Sequence, residues 1–234
     1  MTAARKTQGT LALVGGGEWS GACRDLDEHL LASSGTDEVV VLPTAAAFEH
    51  AERAIGRAEA WFGGLGAKVK PVMVLNRRDG VEPDVVDAVR SARFCYLADG
   101  SPMHLRSVLK DSPLFDALLA SYRAGGVLAA SGAGATVLCD PMVDPRGGAY
   151  TVGLGVVRGL AVFPYHGSAA AHLRVRSVEL LPRDAVLAGI DEHTALVRAS
   201  DGGWRVVGPG CVTLYRRGAE PQTVQDSSIS TLKM

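Results

Sequence analysis

Short continuous apolar runs recur along the first half of the chain. They alternate with stretches whose apolar residues return every three or four positions. Residues 10–14, 38–42, 68–75, 94–98 and 127–130 are runs of the first kind. Bounded by turn signals, such runs predict strands buried on both faces. Residues 25–31, 44–63, 83–92, 104–109 and 113–122 carry the helical spacing. Pro83 and Pro113 stand at first-turn positions, where a missing N–H costs nothing, and Asp111 or Ser112 can cap the fifth helix. Gly63-Gly64 stops the second helix. Pro71 is the one residue at odds with its strand, since proline belongs at sheet edges. Strict alternation of strand and helix predicts a parallel sheet covered on both faces, with ligands at the carboxyl ends of the strands.

After residue 138 the texture changes. Residues 140–148 form a loop rich in Pro and Gly, followed by an expected strand at 161–165 and helix at 169–178. Short runs at 185–190, 194–199, 204–207 and 211–215 predict a β-rich, antiparallel end, with Asp201-Gly202-Gly203 as a hairpin turn. The whole, 1–234, reads as one α/β domain, with 219–234 as a flexible tail.

The chemistry gathers around residues 126–138. A buried strand at 127–130 runs into Ser131-Gly132-Ala133-Gly134-Ala135 and then into an apolar run that can be helical. Strand, sharp turn and helix make the shape of a nucleophile elbow, whose tip projects at the sheet edge beside free helix N–H groups. The tip position is Gly132, which has no side chain to attack with. Ser131 is the nearest hydroxyl. One reading makes it the nucleophile, and the other packs it into the crowded turn, since the residue before an elbow tip points into the sheet.

With Leu13-Val14-Gly15-Gly16-Gly17-Glu18, Leu42-Pro43-Thr44-Ala45, Gly100-Ser101-Pro102 and Gly153-Leu154-Gly155-Val156 in the same order, Ala130-Ser131-Gly132-Ala133-Gly134-Ala135 resembles the serine peptidases typified by dipeptidase E and cyanophycinase. These are relatives of class I glutamine amidotransferases. The resemblance implies a flavodoxin-like three-layer sandwich with a mostly parallel central sheet and a β-rich C-terminal part. It also implies hydrolysis next to an acidic residue by a serine, acid, histidine triad in that chain order. Carried onto this chain, it makes His166 the base, although Tyr165 holds the place directly after the proline, and Asp144 or Asp140 the orienting acid. The oxyanion donors become the N–H groups of Ala133 and Gly100. In the family the loop before Gly100 carries a second glycine. Here that residue is Asp99, whose charge would oppose a developing oxyanion. Gly16, Gly17 and Ser131 fall at the substrate cleft.

Arg146, Arg174 and Arg176 are candidates to hold an acidic substrate, because a guanidinium pairs bidentately with a carboxylate. Glu18 is expected to tie neighbouring loops by accepting N–H bonds. Gly15-Gly16-Gly17 could cradle a phosphate, but the further glycine of a dinucleotide fingerprint is missing.

Composition narrows the classes. Lys+Arg 24 against Asp+Glu 25 leaves no basic footprint for nucleic acid. No apolar run approaches a membrane span, and the basic segment 1–7 precedes a run too short for a signal peptide. A cytoplasmic protein is expected. The 4 cysteines are dispersed and form no CxxC, so neither a metal site, a cofactor nor a disulfide framework is expected. A symmetric homodimer is the default oligomer.

Two functional readings follow. In the first, the chain is a peptidase homologue that keeps a pocket for a small acidic amino acid or peptide and has lost the reaction. In the second it is an active hydrolase: Gly132 replaces a serine, Ser131 attacks, or His166 activates water.

Overall fold

The computed structural model describes residues 8–226, 228 and 229, which leaves the basic segment 1–7 and the end of the expected tail outside the described residues. Five strands, β1 (Leu11–Val14), β2 (Glu38–Leu42), β3 (Lys68–Pro71), β4 (Phe94–Leu97) and β5 (Val127–Ser131), run parallel in the spatial order β1-β5-β4-β2-β3. The helices between them are α1 (Arg24–Ser34), α2 (Ala51–Gly64), α3 (Pro83–Ser91), α4 (Pro102–Leu109), α5 (Pro113–Arg123) and α6 (Ala133–Leu138).

The continuous apolar runs have the burial they predict. Ala12, Val14, Val39, Val41, Phe94 and Tyr96 face Leu26 and Leu30 of α1 and Phe62 of α2. Their chain neighbours Leu13, Val40, Leu42, Cys95 and Leu97 face Val89, Leu105 and Leu118 of α3, α4 and α5. Successive side chains leave a strand on opposite faces, so each face needs its own helical layer. The result is the three-layer, flavodoxin-like α/β sandwich.

Three boundaries differ from expectation. The helix expected at 44–63 is a short 3-10 turn, Thr44–Ala46, followed by α2 from Ala51, with His50 at a φ of 62° breaking the path between them. β3 stops at Pro71. Part of the expected tail, Gln222–Val224 and Ser228–Ile229, pairs with Val212–Tyr215 and Trp204–Val207.

The C-terminal part is divided between two sheets rather than forming one antiparallel unit. Ala195–Arg198 lies antiparallel beside β1 and Trp204–Val207 beside it in turn, so β1 is an interior strand of an 8-stranded sheet. Leu160–Phe163 and Val186–Ile190 run parallel to each other in a second, 6-stranded sheet, with Val212–Tyr215 antiparallel to the latter. One face of this second sheet joins the core around Val137 and Leu138 of α6. The other is covered by α7 (Ala171–Glu179) through Leu173 and Val178.

Candidate active site

β5 ends at Ser131 and α6 begins at Ala133, so the whole change of direction falls on Gly132, at φ 47° and ψ −102°. Only glycine adopts that backbone without strain. The turn is held by Gly132 N–H donating to Val14 O at 3.0 Å and by Thr136 Oγ1 donating to Gly132 O at 2.9 Å. Small residues let α6 settle here: a Cβ on Gly134 would stand 3.0 Å from the Ala130 Cβ. The elbow expected at 131–135 is therefore formed, with Gly132 at its tip.

Ser131 is fully buried and its hydroxyl donates to Glu18 Oε2 at 2.7 Å. Ser131 is not among the residues that line the cleft. Glu18 also accepts the Asp99 N–H at 3.4 Å, so it ties the first glycine loop to β5 and to the loop after β4, in agreement with the role read from the sequence.

Asp99 occupies the space above the elbow. Its Oδ1 accepts the Ala133 N–H at 2.6 Å and the Gly100 N–H at 2.7 Å. Those are the two groups expected to bind an oxyanion, and here they already hold a carboxylate. Asp99 Oδ2 accepts the Tyr165 hydroxyl in a short hydrogen bond. A Cβ built on Gly132 would collide with the same carboxylate. The missing side chain and the intruding one thus compete for one volume.

Tyr165 reaches Asp99 because its own φ is 53° and its ring lies over Gly16, where a Cβ would overlap it. Burial first, and then the Asp99 charge, raise the Tyr165 pKa, which keeps the hydroxyl protonated.

His166 does not come to the elbow. Its Nδ1 faces Asp191 Oδ1 at 3.3 Å and its Nε2 faces the Tyr215 hydroxyl at 2.7 Å, with the ring packed over Gly189. Burial lowers its pKa and the Asp191 carboxylate partly opposes that. The strand ends at Phe163, and the left-handed turn at Tyr165 (φ 53°) sends the next side chain to a different side. Asp144 is not its orienting acid. Both Asp144 oxygens pair with Arg146, at 3.0 and 2.6 Å, and the guanidinium holds the carboxyl below its ordinary pKa. Asp140 accepts the Gly153 N–H at 3.1 Å. Arg174 donates to His166 O at 3.3 Å. Asp191 and Tyr215, which the sequence reading missed, sit at strand ends brought together only by the second sheet.

The model of peptidase family S51 matches residues 11–203. The chain belongs to peptidase family S51. It is 26% identical over 229 residues to a cyanophycinase of Nostoc sp. and equally to one of Trichormus variabilis, covering 92% of this chain and 76% of each relative. Among solved structures, a peptidase from an acI-B1 Actinobacterium superposes with a TM-score of 0.87 at 29% identity, over 96% of this chain and 97% of that one. A putative peptidase E protein from Listeria monocytogenes shares the fold, with a TM-score of 0.64 at 16% identity, over 94% of this chain and 100% of that one.

In this S51 chain the Asp99–Tyr165 bridge divides the cleft in two. On one side is an apolar cavity of about 220 Å³, walled by Pro102, Val143, Phe163, Pro164 and Leu173. On the other is a polar cavity of about 540 Å³ reaching Gly17, Arg53 and Arg57. Asp99, Gly100 and Tyr165 line both. Gly17, at a φ of 68°, packs against His193, where a Cβ would crowd the imidazole. Among the described residues no cluster of His, Cys, Asp and Glu could hold a metal ion, and no helix is long and apolar enough to cross a membrane.

Proposed function

We propose that this member of peptidase family S51 is catalytically silent and binds a small ligand at the elbow instead of cleaving a peptide there. The observation that carries this reading is the Asp99 carboxylate seated on the Ala133 and Gly100 N–H groups. Acyl transfer needs a nucleophile, a base to take its proton, and free donors where the oxyanion develops. Gly132 supplies no nucleophile, and Tyr165, whose hydroxyl stays protonated, supplies no base. The oxyanion of a tetrahedral intermediate entering the hole would meet the Asp99 carboxylate. Loss of such a set removes several orders of magnitude in rate.

The same carboxylate bears on the rival reading of an active enzyme. A serine at 132 would need Asp99 to leave. Ser131 faces Glu18, and both ring nitrogens of His166 are engaged elsewhere. Of the three arginines read as candidates to hold an acidic ligand, Arg146 is held by Asp144 and Arg174 by the His166 carbonyl.

The test is an aspartyl-dipeptide hydrolysis assay on the unaltered protein and two variants. No turnover above buffer is expected from the unaltered protein or from Gly132→Ser alone. The triple change Asp99→Gly, Gly132→Ser, Tyr165→His vacates the hole and restores attacker and base, and measurable hydrolysis is expected from it. Turnover by the unaltered protein at an ordinary peptidase rate sinks the reading.

A further inference from the structure

We infer that the apolar cavity beside Asp99 is a binding site for an amine carrying an apolar group, with the ammonium on Asp99 Oδ2 and the apolar group against Val143, Phe163 and Leu173. The inference rests on the reading that no peptide is turned over at the elbow, and it reverses the charge expected of the ligand.

Three observations carry it. First, a carboxylate offers about four acceptor positions, and Asp99 uses three, on Ala133 N–H, Gly100 N–H and the Tyr165 hydroxyl. The fourth is unfilled, and among the described residues no Lys, Arg or His forms an ion pair with Asp99. Second, Asp99 lines a cavity walled mostly by carbon, from prolines, Val143, Phe163 and Leu173, with Thr136 and Asp144 among its few polar neighbours there. At about 30 Å³ per liquid water, its volume of about 220 Å³ holds roughly seven waters, the size of a ring with a short arm. An apolar wall does nothing to solvate a charge, so Asp99 is the carboxylate there that no guanidinium pairs with, and it is left to anchor a ligand. Third, the two cavities together are lined by the carboxylates of Glu18, Glu49, Asp99, Asp144 and Glu192 and by the guanidiniums of Arg53 and Arg57. Focusing of that excess of negative charge in a cleft concentrates cations and repels anions. Asp144, the other acid at the apolar cavity, is already neutralised by Arg146.

An anion would meet Asp99 with no positive partner. A neutral molecule of the same shape would gain only burial. An amine gains both contacts at once, and its donors match what Oδ2 can still accept.

Isothermal calorimetry of the full chain compares benzylamine, benzyl alcohol and benzoate at pH 7 and low salt. Saturable binding of benzylamine is expected, at least tenfold tighter than benzyl alcohol, with none for benzoate. Asp99→Asn removes the charge while its amide oxygen can still accept the two N–H bonds, and Leu173→Trp fills the cavity from a half-buried wall position. Each is expected to weaken benzylamine at least tenfold. Equal binding of amine and benzoate, no saturable binding of the amine, or unchanged affinity in a folded Asp99→Asn protein overturns the inference. The comparison of the three ligands needs no variant, so a variant that fails to fold leaves the test intact. Absence of amine binding leaves the silent elbow standing, whereas peptide turnover sinks the silent elbow without touching amine affinity.

Discussion

Gly132 and Asp99 are two halves of one local arrangement. A side chain at 132 would have to accept a φ of 47° and would meet the Asp99 carboxylate. Holding a non-glycine residue in such backbone costs about 1–3 kcal/mol, and displacing Asp99 gives up its charge-assisted bonds to Ala133 and Gly100. Gly132→Ser is therefore expected to lower unfolding free energy by roughly 2–4 kcal/mol in urea titrations. Combined with Asp99→Gly, the cost should be less than the sum, because the collision is removed. A strictly additive double-mutant cycle would refute the competition for space.

Asp27 is a residue whose charge state is set by its surroundings. It is fully buried on α1, its Oδ2 accepts the Trp61 indole N–H at 2.8 Å, and its Oδ1 meets no partner. Burial pushes its pKa up from 3.8 to about 7. Between those values the folded state keeps a proton that the unfolded chain releases, so stability falls as pH rises through that window and levels off above about 7. Asp27→Asn keeps an acceptor for Trp61 and cannot titrate. It should flatten that part of the pH–stability curve and exceed the parent by roughly 2–4 kcal/mol at pH 8. A parent curve already flat from pH 4 to 7 would contradict it.

At the scale of elements, the site depends on how closely α6 approaches β5 and β4. Gly134 lies where a Cβ would stand 3.0 Å from the Ala130 Cβ and 3.2 Å from the Leu97 Cβ. The strand beneath carries Ala130 on that face for the same reason. Gly134→Val should overpack this contact and cost about 1–3 kcal/mol by chemical denaturation, and should also shift the Ala133 N–H away from Asp99. An unchanged midpoint would mean that α6 has slack the packing does not show. The segment after Phe163 shows the opposite sensitivity. Its backbone turns at Tyr165 and sends that ring to the elbow and the next one, His166, to Asp191 and Tyr215. One position in the chain decides which side chain meets the carboxylate.

For the whole molecule, the elbow and the five-stranded alternation were legible because each is local. Apolar runs of four or five residues, helical spacing between them and a cluster of small residues after β5 need no distant contact to interpret. Asp99 was visible as an oddity in the sequence, as was Tyr165. Their meeting was not, since 66 residues separate them. The role of Asp191 was hidden for the same reason: it lies 25 residues from His166, at the end of a strand whose sheet could not be assigned.

The sequence by itself determined the layered α/β order, the position of the elbow and the absence of a side chain at its tip, because hydrophobic period and glycine placement act over a few residues. Only the tertiary structure decided that the C-terminal strands part between two sheets, that Tyr165 and not His166 faces the elbow, and that Asp99 fills the hole. Those outcomes depend on loops from separate strands converging at one sheet edge, where contact, burial and charge exist only once the chain has closed.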